Sequence, residues 1–436
     1  MSILNRTSVA VLGVPFDNVT MDEAVDLIED QLQENRFHQV ATANVDFLMH
    51  SIRDPELQEI LCSCDLVVPD GMPIVWAARM MGVALKERVS GVDLVPRLAD
   101  LSARGGYGIF LLGASEDSSR RAAESMKQRF PGVRIVGRYS PPISSLDAMD
   151  HEDILARIEL ARPDILLVAM GNPKQEKWLN MHRDRLEVPI CMGVGGSLDF
   201  LAGTTSRAPA WMQNAGFEWL HRLFQEPGRL TKRYLNDARG LARHLPSQLA
   251  TSAVQPRKPV SSALQAYDIG SSLVVVLGGD IRMPLLGEFD QLMAEINQER
   301  RHTILDMSST AYLGPDALGS LIRWSMQMHR SGLHLWLAGA PAHVRRVMRS
   351  ALLDHCFSTA ASVADAAYRI ERTESMLPGE LIAARSVSRE ARDSASVQLE
   401  ILQGLCKRVG TSAKQAEFSF GRLRSRVSPG RAPAAP

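Results

Sequence analysis

The sequence predicts an α/β protein: a Rossmann-like, mostly parallel sheet with helices on both faces, followed by a smaller α/β domain. Three observations carry this. Short apolar runs at 66–69, 165–170 and 189–194 each lead into a glycine-containing turn, the pattern of strands buried on both faces. These runs alternate with stretches whose apolar residues recur at helical spacing, which places helices against the sheet. The chain has 436 residues, too many for one core, so at least two domains are expected.

In chain order, 8–12 predicts a first strand, and 21–33 a helix with apolar residues on one face. A short strand at 39–43 leads into Thr42-Ala-Asn44-Val-Asp46. The strand at 66–69 ends at Asp70-Gly71-Met72-Pro73, and 74–81 is helical. Arg88-Val-Ser-Gly91-Val-Asp93 precedes a helix through Ser102. A strand at 107–113, a helix to Phe130, a strand at 133–139 and a helix at 154–161 continue the alternation. The strands at 165–170 and 189–194 end at Gly171-Asn172-Pro173 and Gly195-Gly196-Ser197. Ligands in open α/β sheets bind at such carboxyl ends, and glycines at 193, 195 and 196 let backbone N–H groups approach a phosphate.

Beyond Gly203 the composition changes. Pro227-Gly228 should break a helix. From 229 to 245 a helical projection puts Arg229, Lys232, Arg233, Arg239 and Arg243 in one arc. Leu230, Tyr234, Leu235, Ala238, Leu241, Ala242 and Leu245 fill the other side. Such a basic amphipathic helix either lies on an anionic membrane surface or packs on its own domain. Residues 246–262 are rich in Ser, Pro, Gln and Ala and predict a flexible linker, leaving two units without a large shared interface. A second domain follows, with strands at 273–277, 302–307 and 333–337. Its helices are expected at 284–298, 316–330, 341–352 and 363–372. From 373 to 436 the chain is rich in Arg, Ser, Ala and Pro; apart from a short helix at 399–409 it is expected to be largely disordered.

Lys+Arg and Asp+Glu are both 49, so global charge argues for neither nucleic acid nor membrane, and no nucleic-acid partner is expected. Cysteines 62, 64, 191, 356 and 406 are scattered and odd in number, which fits a reducing cytoplasm better than a disulfide framework. There is no signal-like start and no run of about 20 apolar residues, so a soluble or peripheral protein is expected. Gly-x-Gly-x-x-Gly and Walker A patterns are absent, which weakens nicotinamide and P-loop readings. Asp-x-Asp, the metal-holding pair of many sugar-nucleotide enzymes, is absent too. No metal or cofactor is expected, and cations with backbone donors must neutralise a leaving diphosphate.

The run Gly171-Asn172-Pro173-Lys174-Gln175-Glu176-Lys177-Trp178 and the Gly-rich Asp199-Phe200 segment resemble the WecG/TagA/CpsF glycosyltransferases. The resemblance covers roughly residues 8–245, with several motifs in the family's order. It implies a metal-independent inverting hexosyltransferase, peripheral at the cytoplasmic face of the membrane, in cell-surface or exopolysaccharide biosynthesis. The donor would be a UDP-sugar carrying N-acetylmannosamine, its uronic acid or glucose, and the acceptor a polyprenyl-diphosphate-linked sugar. On the matching positions Asp70 would be the general base. From the residues alone, Asp70-Gly71 after a strand is more often a turn. Thr42 and Asn44 match the family's Thr-x-Asn and suit sugar hydroxyls; Arg88 suits the donor phosphates or is a surface arginine. Gln175 would face sugar or nucleotide, while Lys174 and Glu176 read as a helix N-terminal pair. Asp199 either binds ribose or caps a helix. Arg207, Arg222, Arg229 and Arg233 would meet the lipid diphosphate or cap the site, as part of a basic appendage at 204–245 closing a domain of residues 1–245.

Residues 264–372, around Thr303-Ile-Leu-Asp306-Met-Ser308 and Leu313-Gly-Pro-Asp316-Ala, resemble a STAS domain, the fold of anti-sigma-factor antagonists. The family's phosphorylated serine turn is replaced here by Gly314-Pro315-Asp316-Ala317. Asp316 is either a standing phosphate mimic or a helix cap. The domain, bounded at 263–372, is expected to regulate, to dock a protein partner or to self-associate. The rival reading makes the chain a regulatory STAS protein whose first domain only senses a sugar nucleotide.

Overall fold

In a computed structural model the described residues are 7–34, 36–209, 211–212, 216–253, 263–270, 272–282, 300–354 and 356–375. The helix expected at 284–298 and the tail beyond 375 lie outside them.

The chain opens with an antiparallel hairpin, β1 (Ser8–Val11) and β2 (Val14–Asp17), that stands apart from the main sheet. Leu12 and Gly13 turn it with positive φ at both positions, the two-residue geometry that matches strand twist. The sequence reading saw one strand here; the second, Val-Pro-Phe-Asp, is too short and too Pro-broken to announce itself. Helix α1 (Met21–Leu32) follows, its start fixed by a Thr20–Glu23 capping box.

The main sheet is six-stranded and parallel, in the order β4 (Leu66–Pro69), β3 (His38–Ala43), β8 (Ile190–Gly193), β7 (Ile165–Ala169), β5 (Gly108–Gly113), β6 (Arg134–Tyr139). Its central strands are buried on both faces, as their apolar runs require. Helices α2 (Val45–Ser51), α3 (Pro55–Ser63), α4 (Met72–Met80), α5 (Gly91–Gly105), α6 (Glu116–Arg129), α7 (His151–Ala161), α8 (Lys174–Met181) and α9 (Ser197–Leu201) cover it. One core lies under α1, α5 and α6; two others lie on the opposite face, around Phe16, Leu48 and Ile60 and around Trp178 and Ile154.

The chain then forms α10 (Glu218–Gln225) and the long α11 (Pro227–Ala253), separated at Glu226 ahead of Pro227-Gly228. Helix α11 runs straight through Pro246 into the stretch expected to be a linker. Leu241, Leu245 and Leu249 pack on the first domain's core. Buried Gln248 accepts from the Leu12 N–H at 2.9 Å and donates to the Ala10 carbonyl at 2.8 Å.

The second domain has one sheet, β12 (Thr310–Leu313), β10 (Ser272–Ile281), β11 (Thr303–Asp306), β13 (Leu335–Ala338), β14 (Ser358–Ala360), with β9 (Ala263–Ile269) antiparallel to β10. Helices α12 (Pro315–Arg330), α13 (Ala342–Ser350) and α14 (Val363–Ser375) complete it. Asp316 is not the cap of α12; Gly314 holds that position, Pro315 is the first helical residue, and the Asp316 side chain is buried.

The expectation of two units without a large shared interface does not hold. Helix α12 is pressed between its own sheet and β1–β2, so closely that a Cβ on Gly319 would stand 2.2 Å from the Ser8 carbonyl. Arg323 donates to Ser8 Oγ and to fully buried Asp17, and reaches the Pro15 and Cys64 carbonyls at 3.4 Å. Arg330 pairs with buried Asp65 at 2.6 Å. Burial alone would raise Asp65; the His38 hydrogen bond and the Arg330 charge outweigh it and hold that carboxylate well below the usual range. Gln58 donates to the Leu352 carbonyl at 2.9 Å, Thr251 meets Ser350 at 2.6 Å, and the Tyr312 hydroxyl donates to the Ser252 carbonyl at 3.2 Å.

Arg323→Ala leaves Asp17 buried without its cation and should cost about 3 kcal/mol of stability, read as a lowered urea midpoint. A chain ending at residue 262 uncovers the outer face of β1–β2 and should precipitate or melt at least about 5 °C lower. A truncated protein with the full-length melting temperature would contradict this.

Candidate functional site

The carboxyl ends of β3, β4, β7 and β8 form one polar edge; α2, α4, α8 and α9 start just after these strand ends, and α5 joins them through the Gly91 N–H. Unsatisfied N–H groups and helix dipoles make such an edge favourable to anions.

Asp70 directly follows β4, and its N–H donates to the Ala43 carbonyl at 2.9 Å. Its carboxylate accepts from the Gly91 N–H at the start of α5, at 3.4 Å. Burial pushes its pKa up to about 6, against the opposing pull of Arg88 and the Gly91 bond. Glu218 raises it further and Arg222 lowers it, so α10 brings both signs of charge to the same carboxyl.

Four charged groups interlock beside it. Arg207 grips Asp93 with two nitrogens at 2.6 and 2.7 Å, a bidentate arrangement that fixes the guanidinium plane. Arg88 reaches Asp93 and Glu218 at 3.3 Å each, and Arg207 Nε lies 3.6 Å from Glu218. Asp93 also accepts from Ser90 Oγ at 2.6 Å. Arg222 stacks over Phe200, 5.2 Å from the ring centroid. Its buried Nε has no hydrogen-bond partner, and its Nη2 comes within 3.7 Å of a Cβ built on Gly196. Arg233, on α11, pairs with Asp46 at 3.1 Å, and Asp46 accepts from Asn172 Nδ2 at 3.3 Å.

The sequence-derived candidates do not all face the same space. Asp70, Arg88, Arg207, Arg222 and Gly196 converge. Thr42 is buried against Gly91; a Cβ on Gly91 would stand 3.0 Å from the Thr42 hydroxyl and 3.1 Å from that of Ser197. Asn44 caps α2, its side chain accepting from the Phe47 N–H at 3.3 Å. Gln175 is buried, its oxygen accepting from the N–H groups of Gly171 and Gly195 at 3.1 Å each and its nitrogen donating to Glu176 at 2.7 Å. It clips two glycine turns together instead of presenting its amide outward. Gly193 leaves room for that clip, since a Cβ there would stand 2.4 Å from Gln175. Gly195 has φ +47 and Gly196 is exposed. Asp199 sits in the first turn of α9, whose cap is Gly196, so it is not the cap. The Arg229 side chain lies outside the described residues, and Lys174 Nζ donates to the Ser144 carbonyl at 2.5 Å.

Sequence reasoning missed Asp46, Glu218 and Glu176. Asp46 stood two residues after Asn44 and Glu218 beside two aromatics, yet nothing local shows that each meets an arginine over 100 residues away. Glu176 is buried, and burial raises its pKa to about 8. Among the described residues no group of three His, Cys, Asp or Glu is arranged to hold a metal, and no helix is long and apolar enough to cross a membrane.

Comparison with known proteins adds two family matches. Residues 9–253 match the model described as the glycosyl transferase WecG/TagA/CpsF family, and residues 267–360 match one described as Mlab, STAS domain. An N-acetylglucosaminyldiphosphoundecaprenol N-acetyl-beta-D-mannosaminyltransferase of Staphylococcus aureus strain MRSA252 is 32% identical over 222 residues, covering 50% of this chain and 85% of the relative. The enzyme of the same name from strain MW2 is 31% identical over 230 residues, covering 52% and 88%.

Asp70 and Glu176 both have folded pKa values above their unfolded ones. Each stabilises the fold fully below about pH 4, and that contribution is lost as pH rises through about 6 for Asp70 and about 8 for Glu176. The neutral isosteres Asp70→Asn and Glu176→Gln should therefore be more stable than wild type at pH 8.5, each by about 1 kcal/mol, with flatter melting-temperature profiles between pH 5 and 8.5. Profiles parallel to wild type would exclude the raised values.

Proposed function

The chain belongs to the WecG/TagA/CpsF glycosyltransferase family and is a hexosyltransferase, and on that premise we propose how its polar edge transfers a sugar. The donor is a UDP-sugar bearing N-acetylmannosamine, its uronic acid or glucose. The acceptor is a polyprenyl-diphosphate-linked sugar, the kind of acceptor named for the staphylococcal relatives. The observation that carries the reading is Asp70, a carboxylate with a pKa near 6 set among arginines at the sheet's ligand edge.

Asp70 takes the proton of the acceptor hydroxyl as that oxygen attacks the anomeric carbon. A base of pKa about 6 is largely ionised at pH 7 and close enough to it for efficient transfer. The bond to the diphosphate breaks on the opposite face, inverting the anomeric centre. Charge grows on the departing UDP, where Arg222, the turn at Gly195 and Gly196 and the neighbouring helix N-termini supply the compensation. Arg88 and Arg207 are held ready by Asp93 and Glu218 and exchange those carboxylates for phosphate oxygens. Thr42, Asn44 and Gln175 serve by shaping the floor: one packs beneath α5, one caps α2, one joins the two glycine turns. Asp199, beside Gly196, is placed for a ribose hydroxyl.

Membrane contact falls to a different surface from the one the helical projection suggested. Arg233 turns inward to Asp46, and Leu241 and Leu245 are partly buried, packed on the first domain's core. Lys232, Arg239 and Arg243 remain outward, near exposed Leu235. Trp211 and Phe224 are 67% and 76% exposed, with Phe217 and Trp219 also outward. Aromatic rings beside cations suit the headgroup layer of an anionic leaflet, which supports peripheral attachment at the inner face of the cell membrane. The STAS domain braces the hairpin and α11. A protein partner or a second copy would have to use a face other than α12, which is already covered.

UDP release from a donor panel with a short-chain lipid acceptor tests the assignment. Asp70→Asn should lower turnover by about 10²–10⁴ while donor binding holds; activity within about threefold of wild type would remove Asp70 from the role. EDTA should leave the rate unchanged. Charge reversal at Lys232, Arg239 and Arg243 should weaken binding to anionic liposomes, at about 1 kcal/mol per charge lost, and equal sedimentation of variant and wild type would contradict the surface.

A further inference from the structure

The interface between the two domains carries a pair of thiols. Cys62 lies near the end of α3, 2% exposed, and packs within the STAS domain's own apolar cluster. Cys356 follows α13, is partly exposed, and packs against the same cluster. Both side chains thus meet at one cluster across the domain boundary, where each shifts the other's proton affinity, and the Cys62 S–H donates to the Gly13 carbonyl at 3.4 Å. Both are free thiols.

We propose that Cys62 and Cys356 are a redox modification site, which a peroxide oxidises to a disulfide that staples the STAS domain to the transferase domain. The roles follow from the surroundings. Cys356 is the more accessible sulfur, and the neighbouring Cys62 thiol lowers its pKa and favours its thiolate. Cys62 is held as the thiol by that same partnership and by burial, with Arg323 acting weakly the other way. The Cys356 thiolate attacks one peroxide oxygen, the O–O bond breaks, and hydroxide leaves and takes a proton. Cys356 is then a sulfenic acid. Cys62 gives up its proton and attacks that sulfur, the S–O bond breaks, and a second water leaves. Two thiols and one hydrogen peroxide thus give one disulfide and two waters. Cys64 does not compete, because it is buried and burial, with Asp65, raises its thiol pKa further. Cys191 is buried in a separate core.

The test uses the full chain treated with a few equivalents of hydrogen peroxide, quenched with an alkylating reagent and digested without reduction. The expected product is a peptide linked through Cys62 and Cys356, with fragmentation distinguishing Cys62 from Cys64. Closing a loop of about 290 residues should raise the melting temperature by roughly 5 °C, reversed by dithiothreitol. Cys356→Ser, at the partly exposed position, should fold normally, give no linked peptide and show no peroxide-induced rise. Continued alkylation of both thiols after peroxide would overturn the proposal. So would a link from Cys62 to Cys64, from Cys356 to Cys406, or between two chains.

Discussion

The structure depends on where the β1–β2 hairpin finds cover. A lone two-stranded ribbon is marginal in water. One side of this one, Val9 and Val11, joins the first domain's core; Ala10 on the other joins the STAS cluster. Helix α12 supplies that second surface, and Arg323 reaches through it to Asp17, which also accepts from Ser8 Oγ and the Val67 N–H. An acid with no exposure needs this set of partners. The hairpin is therefore part of both cores, and the two domains share it.

The same dependence extends to the edge where we propose that transfer takes place. Gln248 fixes the far end of α11 to the hairpin, and Thr251 and Ser252 fix it to the STAS domain. The near end of that helix carries Arg233 to Asp46, and α10 before it carries Glu218 and Arg222 to Asp70. The bracing contacts and the groups proposed for the chemistry thus lie at opposite ends of one helix and the short helix before it. A carboxylate kept near pH 6 by burial is sensitive to displacement of the arginines around it, so the position of α11 bears on the acidity of Asp70.

Much of this was legible locally. Unbroken apolar runs located β4, β7 and β8, because strands buried on both faces have no polar alternation. Turn residues at 70–71, 171–173 and 195–196 marked the ligand edge, and the position of Asp70 followed. What was not legible is long-range. Gln175 looks like a contact residue until two glycine turns, 24 residues apart, are seen to share its oxygen. The amphipathic pattern of α11 gave the helix but not its neighbour, because a core and a membrane select the same apolar face. The composition of 246–262 read as a linker, since Ser, Gln and Ala serve equally in a solvated helix end; its first eight residues are helical. The docking of α12 could not be read at all: Arg323 and Asp17 are 306 positions apart.

That separation also bears on how the protein is made. Ser8 and Asp17 are made 315 and 306 residues ahead of their partner Arg323. At about 5–20 residues per second the interval is roughly 15–60 s. Throughout it the nascent chain presents a strand pair with one face unmet, long after the parallel sheet behind it has been made. Until α12 arrives, the newborn chain is therefore open to chaperones and to other nascent chains on the same message.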